Sequence, residues 1–165
     1  MMSTPKIVER QPQAYLAILK RVALRDIGGV AQEVLPELFA WLERHGIAPA
    51  GAPFFKYNLV DMDRELELEV GVPVSGTMRG DSRVVVGTLP GGRYATLTNR
   101  GPYDRLVEAN AALLKWIGEK GLKVAVEKSS SGDRFVSRLE IYHTDPAREP
   151  DPDKWEAEVA ILLAD

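Results

Sequence analysis

The cleanest periodicity in the chain lies between residues 64 and 74. There Leu66, Leu68, Val70, Val72 and Val74 alternate with Glu65, Glu67, Glu69 and Gly71. Successive strand side chains point to opposite faces, so the pattern predicts a strand with one buried face and one wet face. The end of the chain repeats it, with Trp155, Ala157, Val159, Ile161 and Leu163 alternating along a closing strand. Shorter apolar, β-branched or aromatic runs predict strands over 6–10, 14–22, 54–59, 83–89, 93–99 and 135–143. Gln11-Pro12 supplies a turn between 6–10 and 14–22, and Pro90-Gly91-Gly92 one between 83–89 and 93–99.

Two segments change to a helical period. Leu35, Leu38, Phe39 and Leu42 recur at i, i+3, i+4 and i+7, with Gly46 as the stop. Pro36 predicts a kink, or a first turn that begins near it. The second helix starts at Gly101-Pro102 with Asp104 near its positive end, and Gly121 ends it. Its apolar stripe is Leu106, Ala109, Leu113, Trp116 and Ile117. Residues 75–82, 128–133 and 145–153 read as loops. The first contains Arg79-Gly80-Asp81, an adhesion tripeptide by letter, which is read as chance.

Each half thus gives strand, strand, helix, strand, strand, and the residues themselves repeat. The run from Tyr15 to Arg21 matches that from Tyr94 to Arg100, and the run from Trp41 to Ile47 matches that from Trp116 to Leu122. Phe55-Lys56-Tyr57 matches Glu140-Ile141-Tyr142, and the run from Leu68 to Val72 matches that from Ala157 to Ile161. A duplicated unit of this kind packs about a pseudo-two-fold axis, burying what neither copy could bury alone. The expectation is an α+β fold: one antiparallel sheet, two similar halves (about 6–74 and 83–163, joined by 75–82), and both helices on one face. The whole of 1–165 is read as a single domain.

Composition narrows the function. With 165 residues, 45% hydrophobic and 27% charged, the chain has the make-up of an ordinary globular protein. A net charge of -3 argues against nucleic-acid binding, which needs a basic surface. The absence of cysteine excludes disulfides, zinc-thiolate sites and cysteine nucleophiles. Two separated histidines indicate no metal site. No apolar stretch suits a signal peptide or a membrane helix, so a cytoplasmic location is expected.

The chemistry concentrates on the strand at 135–143. Phe135, Leu139 and Ile141 point one way and are expected to pack under a helix. Val136, Arg138, Glu140 and Tyr142 point the other way, and the repeat places Phe55 and Tyr57 as the equivalents of Glu140 and Tyr142. An acid therefore stands where the sister half carries a phenylalanine. A solvated strand glutamate is the commonest fate of such a residue, and Glu65, Glu67, Glu69, Glu156 and Glu158 are read as a wet sheet face. Tyr103 stands at a helix start from which it can reach a groove, whereas Trp116, repeated by Trp41, is read as core first. The pattern leaves the exposure of Tyr15 and Tyr94 open. Arg100 has two roles available, pairing with Glu140 or a packing role shared with Arg21. His45 is expected to satisfy a helix end. His143 is expected to be solvated beside the strand's end.

Several motifs in their order resemble the GyrI-like, or gyrase-inhibitor-like, small-molecule-binding domain. They are Asn99-Arg100-Gly101-Pro102-Tyr103, Trp116, Glu140-Ile141-Tyr142 followed by Asp145-Pro146, and Val70-Gly71-Val72-Pro73-Val74. The same domain serves AraC-type and MerR-type multidrug-responsive regulators as an effector-binding domain, and the resemblance spans roughly 6–163. It implies an aromatic groove between the halves with a glutamate at its base, the position of Glu140. The resulting expectation is a stand-alone binder of lipophilic or cationic xenobiotics. Its ligand-binding residues are Glu140, Tyr142, Phe55, Tyr57, Tyr103, Trp116 and Tyr94. No cofactor, no metal, no membrane and no DNA binding by the chain itself are expected. The resemblance also implies two alternatives. One is a hydrolase of electrophilic, cyclopropane-containing compounds with Glu140 and Tyr142 as catalytic residues. The other is an inhibitor that docks on a protein such as gyrase.

Overall fold

The computed structural model describes residues 1–61, 64–76 and 78–165, so Thr77 of the predicted 75–82 connector lies outside the described residues. The first half holds β1 (Lys6–Arg10), β2 (Gln13–Val22), α1 (Val30–Arg44), β3 (Phe54–Val60) and β4 (Leu66–Pro73). The second holds β5 (Val85–Leu89), β6 (Gly92–Arg100), α2 (Leu106–Glu119), β7 (Val126–Ser129), β8 (Gly132–Phe135), β9 (Arg138–Tyr142) and β10 (Glu156–Leu162). The main sheet runs β1-β6-β10-β9-β3-β4-β2-β5, and the β7-β8 hairpin joins it through β3.

This order reads the same from either end once β1 is equated with β5, β2 with β6, β3 with β9 and β4 with β10. The register obeys the same exchange. Leu16 pairs with Val72 as Ala95 pairs with Ile161, and Phe55 pairs with Val70 as Glu140 pairs with Val159. The strand matches of the repeat are therefore structural equivalences.

Two of the pairs joined by two-residue turns, β1 with β2 and β5 with β6, do not pair with one another. β1 pairs with β6 of the other half, and β5 pairs with β2. Each copy thus lends its first strand to its partner's edge, which interlocks the halves.

Both helices cover one face. α1 packs on Leu16, Ile18, Phe55 and Val70, and α2 on Ala95, Leu97, Val159 and Ile161. Phe55, Glu140 and Val159 are lateral neighbours on paired strands, so these two clusters share a side of the sheet. Pro36 lies inside α1, which runs on through it from Val30. Phe39 is turned out to 39% exposure, and Trp41 takes the buried position beside Leu38 and Leu42.

The second face is not the wet one the alternation predicts. The sheet curls, and its helix-free face closes over a third cluster containing Tyr15, Ala17, Phe54, Tyr94, Leu139 and Leu162. Glu69 lies on this face at 8% exposure. It accepts hydrogen bonds from the Tyr15 hydroxyl at 2.8 Å and Asn58 Nδ2 at 2.9 Å, and Lys56 Nζ lies 3.4 Å away. Glu158, its repeat mate, pairs with Arg10 and with His143 at 3.2 Å. Such partners are what a buried carboxylate requires. Glu65 and Glu156 alone of these five acids are exposed.

The predicted strand at 135–143 is two strands, because β8 ends at Phe135 and β9 begins at Arg138. The predicted loop at 128–133 is largely the β7-β8 hairpin.

Candidate small-molecule site

Glu140 occupies the centre of β9 at 8% exposure. It faces the helices, the reverse of the orientation expected from the apolar character of Leu139 and Ile141. Those two pack into the cluster on the helix-free face, while Tyr142 touches the clusters beneath both α1 and α2. The apolar cue fails here because both faces of β9 are buried, and the helix-facing side is the seam between two helices.

Three neutral donors hold the carboxylate. Oε1 accepts from the Tyr57 hydroxyl at 2.7 Å and the Tyr142 hydroxyl at 2.8 Å. Oε2 accepts from Asn110 Nδ2 of α2 at 2.9 Å. Burial, and after it the charge of Glu140, raises the pKa of both tyrosines well above the ordinary phenol value, so they stay protonated donors. Asn110 Nδ2 also donates to the Leu106 carbonyl at 2.8 Å, and its Oδ1 accepts from Arg138 Nη2 at 3.2 Å. These three contacts agree on one orientation of the amide. Flipping it would set its oxygen against two acceptors and its nitrogen against a guanidinium.

Arg138 stands two residues from Glu140 on the same face of β9. Its guanidinium lies over the Phe135 ring at 4.7 Å, and its buried Nε has no hydrogen-bond partner among the described residues. Burial pulls its pKa down, and the charge of Glu140 opposes that.

Aromatic rings extend outward from the acid. Ring centroids are 6.4 Å apart for Phe55 and Tyr57, 5.1 Å for Phe55 and Tyr142, and 5.2 Å for Tyr142 and Tyr103. Trp155 continues the row, 5.0 Å beyond Tyr103. The Tyr103 hydroxyl is committed to the Thr144 carbonyl, and the Trp155 indole N–H donates to the Glu149 carbonyl at 2.8 Å.

Of the residues expected to bind ligand, the fold thus gathers Glu140, Tyr142, Phe55 and Tyr57, with Tyr103 one ring away. Trp116 packs half-buried against the α2 cluster. Tyr94 lies on the helix-free face, where its hydroxyl donates to the Pro90 carbonyl at 2.7 Å and sits 3.0 Å from Ser137 Oγ. It lines a separate cavity of about 360 Å³ with Arg10, Phe54, Leu139 and Ile141. Arg100 is exposed and is not among the hydrogen-bond partners of Glu140. His45 Nδ1 sits 2.8 Å from the Trp41 carbonyl at the end of α1, and its ring stacks on Trp41 at 3.9 Å.

Sequence reasoning missed Asn110, Arg138 and Trp155. The repeat carried a usable signal for the first two. Extending its matches puts Asn110 opposite Leu35 and Arg138 opposite Pro53, so Glu140, Asn110 and Arg138 each stand where the sister half is apolar.

Among the described residues no cluster of three or more His, Cys, Asp or Glu could hold a metal ion, and no helix is long and apolar enough to cross a membrane.

The fold has solved counterparts. The C-terminal domain of EcmrR aligns with a TM-score of 0.79 at 16% identity, over 98% of this chain and 97% of that domain. In the EcmrR-DNA complex the TM-score is again 0.79 at 15% identity; 97% of this chain aligns but only 57% of that one is spanned. SAV2435, solved bound to tetraphenylphosphonium, aligns with a TM-score of 0.66 at 16% identity, over 98% of this chain and 94% of its own. A hydrolase from Listeria innocua aligns at 0.64 and 15% identity, over 97% of this chain and 91% of its own. At these identities the likeness is one of fold. No curated protein matches the chain by sequence. Residues 3–164 match the family described as the GyrI-like small molecule binding domain, and the chain belongs to that family.

Proposed function

We propose that the chain binds a lipophilic cation in the seam between its helices, with Glu140 as the charge partner and Phe55, Tyr57, Tyr142 and Tyr103 as aromatic walls. The observation that carries this reading is the state of Glu140. It is a buried carboxylate bonded to three neutral donors, with no lysine or arginine in direct contact among the described residues. A buried anion with no cation in contact attracts one, and aromatic faces add cation-π attraction once water is excluded. The tetraphenylphosphonium bound by SAV2435 supports the same ligand class. Titration with tetraphenylphosphonium, followed by calorimetry, tests it. Glu140→Gln should weaken binding by roughly tenfold or more, about 1.4 kcal/mol per factor of ten. Equal affinity in the variant would leave the aromatic walls as the whole site.

A second reading is favoured by the two tyrosine hydroxyls that share one carboxylate oxygen. Glu140 would take a proton from water as that water attacks a strained electrophilic carbon, and a tyrosine would protonate the departing atom. Raised pKa values make Tyr57 and Tyr142 weak acids, which ranks this reading second. Turnover of a cyclopropane-containing electrophile, lost in Glu140→Gln while binding survives, would promote it.

A further inference from the structure

We propose that Arg138 is a second charged determinant of this seam. The preferred ligand is then a dipolar aromatic molecule, carrying a cationic group for Glu140 and a carboxylate or comparable acceptor for Arg138. The inference rests on the reading of Glu140 as a cation partner and narrows the ligand class.

Four observations carry it. Arg138 and Glu140 are alternate residues of one short strand and share its helix-facing side. They do not neutralise each other directly, because Asn110 stands between them, accepting from Arg138 Nη2 and donating to Glu140 Oε2. An amide in this place keeps the two charges apart and orients both.

The guanidinium is also held in place with capacity to spare. The Phe135 ring lies against it, one nitrogen is committed to Asn110, and the buried Nε has no partner among the described residues. A guanidinium offers five N–H donors in a rigid fork, and planar acceptors such as carboxylate suit it best. Lastly, the fold itself does not require an arginine there. The equivalent position of the sister half is Pro53, just before β3, and from the next residue on β3 and β9 keep equivalent registers.

A purely cationic ligand at Glu140 would be repelled by Arg138 in the same partly buried setting, where charges are weakly screened. A ligand carrying its own anion turns that repulsion into attraction.

Rhodamine B and its ethyl ester test this, because they share one cationic ring system and differ in a single carboxylate. Fluorescence anisotropy titrations compare the intact protein with Arg138→Gln, Arg138→Lys and Glu140→Gln. The intact protein should prefer rhodamine B to the ester. Arg138→Gln should weaken rhodamine B by about tenfold or more and tighten the ester, a crossed pattern that general damage to the fold cannot produce. Arg138→Lys, which keeps the charge and loses the fork, should fall between. If Arg138→Gln shifts both dyes alike or neither, or if the intact protein prefers the ester, Arg138 is scaffolding and the inference is overturned while the Glu140 reading stands. If Glu140→Gln leaves both dyes untouched and Arg138→Gln still separates them, the Glu140 reading falls and the role of Arg138 remains. Binding of neither dye overturns both.

Discussion

Phe55 and Glu140 are paired residues of β3 and β9, and the repeat makes each the equivalent of the other. The flanking pairs, Phe54 with Ile141 and Lys56 with Leu139, exchange under the same operation, so the pseudo-two-fold axis passes between Phe55 and Glu140. A site on that axis would be symmetric if the halves were identical. Here one half supplies an apolar wall and the other the polar set Glu140, Asn110 and Arg138. Duplication built the seam, and divergence of one copy charged it.

The two tyrosines on Glu140 Oε1 should behave as a coupled pair. Tyr57→Phe or Tyr142→Phe alone removes one donor and should cost about 1.5–3 kcal/mol, as expected for a hydrogen bond to a charged acceptor. The double variant should cost more than the sum, because Oε1 then loses both of its hydroxyl donors. Urea unfolding of the four proteins measures this; additive costs would mean that the hydroxyls act independently.

Alkaline pH should destabilise the protein through its buried tyrosines. Tyr57, Tyr142 and Tyr15 all have pKa values raised in the folded state, by burial first and then by Glu140 or Glu69. Their contribution is fully present below the ordinary phenol value of about 10. Above it the unfolded chain releases protons that the folded chain keeps, so stability falls by about 1.4 kcal/mol per pH unit for each such tyrosine. Urea midpoints from pH 8 to pH 11 should be flat and then drop. Tyr57→Phe should show a shallower drop.

At the acid end the informative group is Asp81. The Trp41 indole N–H donates to its Oδ2 at 2.8 Å, and the Arg83 and Val84 amides donate to Oδ1 at 2.8 and 2.9 Å. These bonds, with Trp41 first, hold its pKa down at about 2. A lowered folded-state pKa means that the stabilisation is complete above the ordinary carboxylate range and disappears as pH falls toward about 2. Asp81→Asn should therefore melt below the unmodified protein at pH 6, with the gap closing near pH 2. A gap of the same size at both pH values would assign the effect to packing. This carboxylate is the last residue of the Arg79-Gly80-Asp81 tripeptide, and its oxygens are used to bind the chain's own turn to α1.

Two glycines should respond oppositely to alanine. At Gly87 a new Cβ would lie 2.4 Å from the Tyr15 ring, whose hydroxyl bonds Glu69. Gly87→Ala should cost about 1–3 kcal/mol, as overpacking of a core does. At Gly118, inside α2, a Cβ meets nothing within 4 Å. Gly118→Ala should stabilise the helix by about 0.5–1 kcal/mol. Thermal unfolding of both variants checks the pair.

The sequence by itself determined most of the strands, though not the β7-β8 hairpin or the break before β9, together with the two helices, their placement on one face and the equivalence of the halves. Those features follow from alternation, from the 3.6-residue period and from residue matches such as Tyr15 with Tyr94, all of which are local or internal to the chain. It also put an acid, Glu140, at the repeat position of Phe55; the pattern alone favoured a solvated glutamate, and the family resemblance gave it a place at the base of a groove. Only the tertiary structure decided which way Glu140 points. Periodicity states which residues share a side of a strand, but not what covers that side. In β9 one side meets the seam between the helices, and the other meets the curl of the sheet that also buries Glu69. Tertiary structure likewise decided that β1 and β5 cross to the opposite half, since a short turn does not dictate which edge a strand joins. It also brought Asn110, Arg138 and Glu140 together, because a helix and a strand meet only when the chain between them has closed.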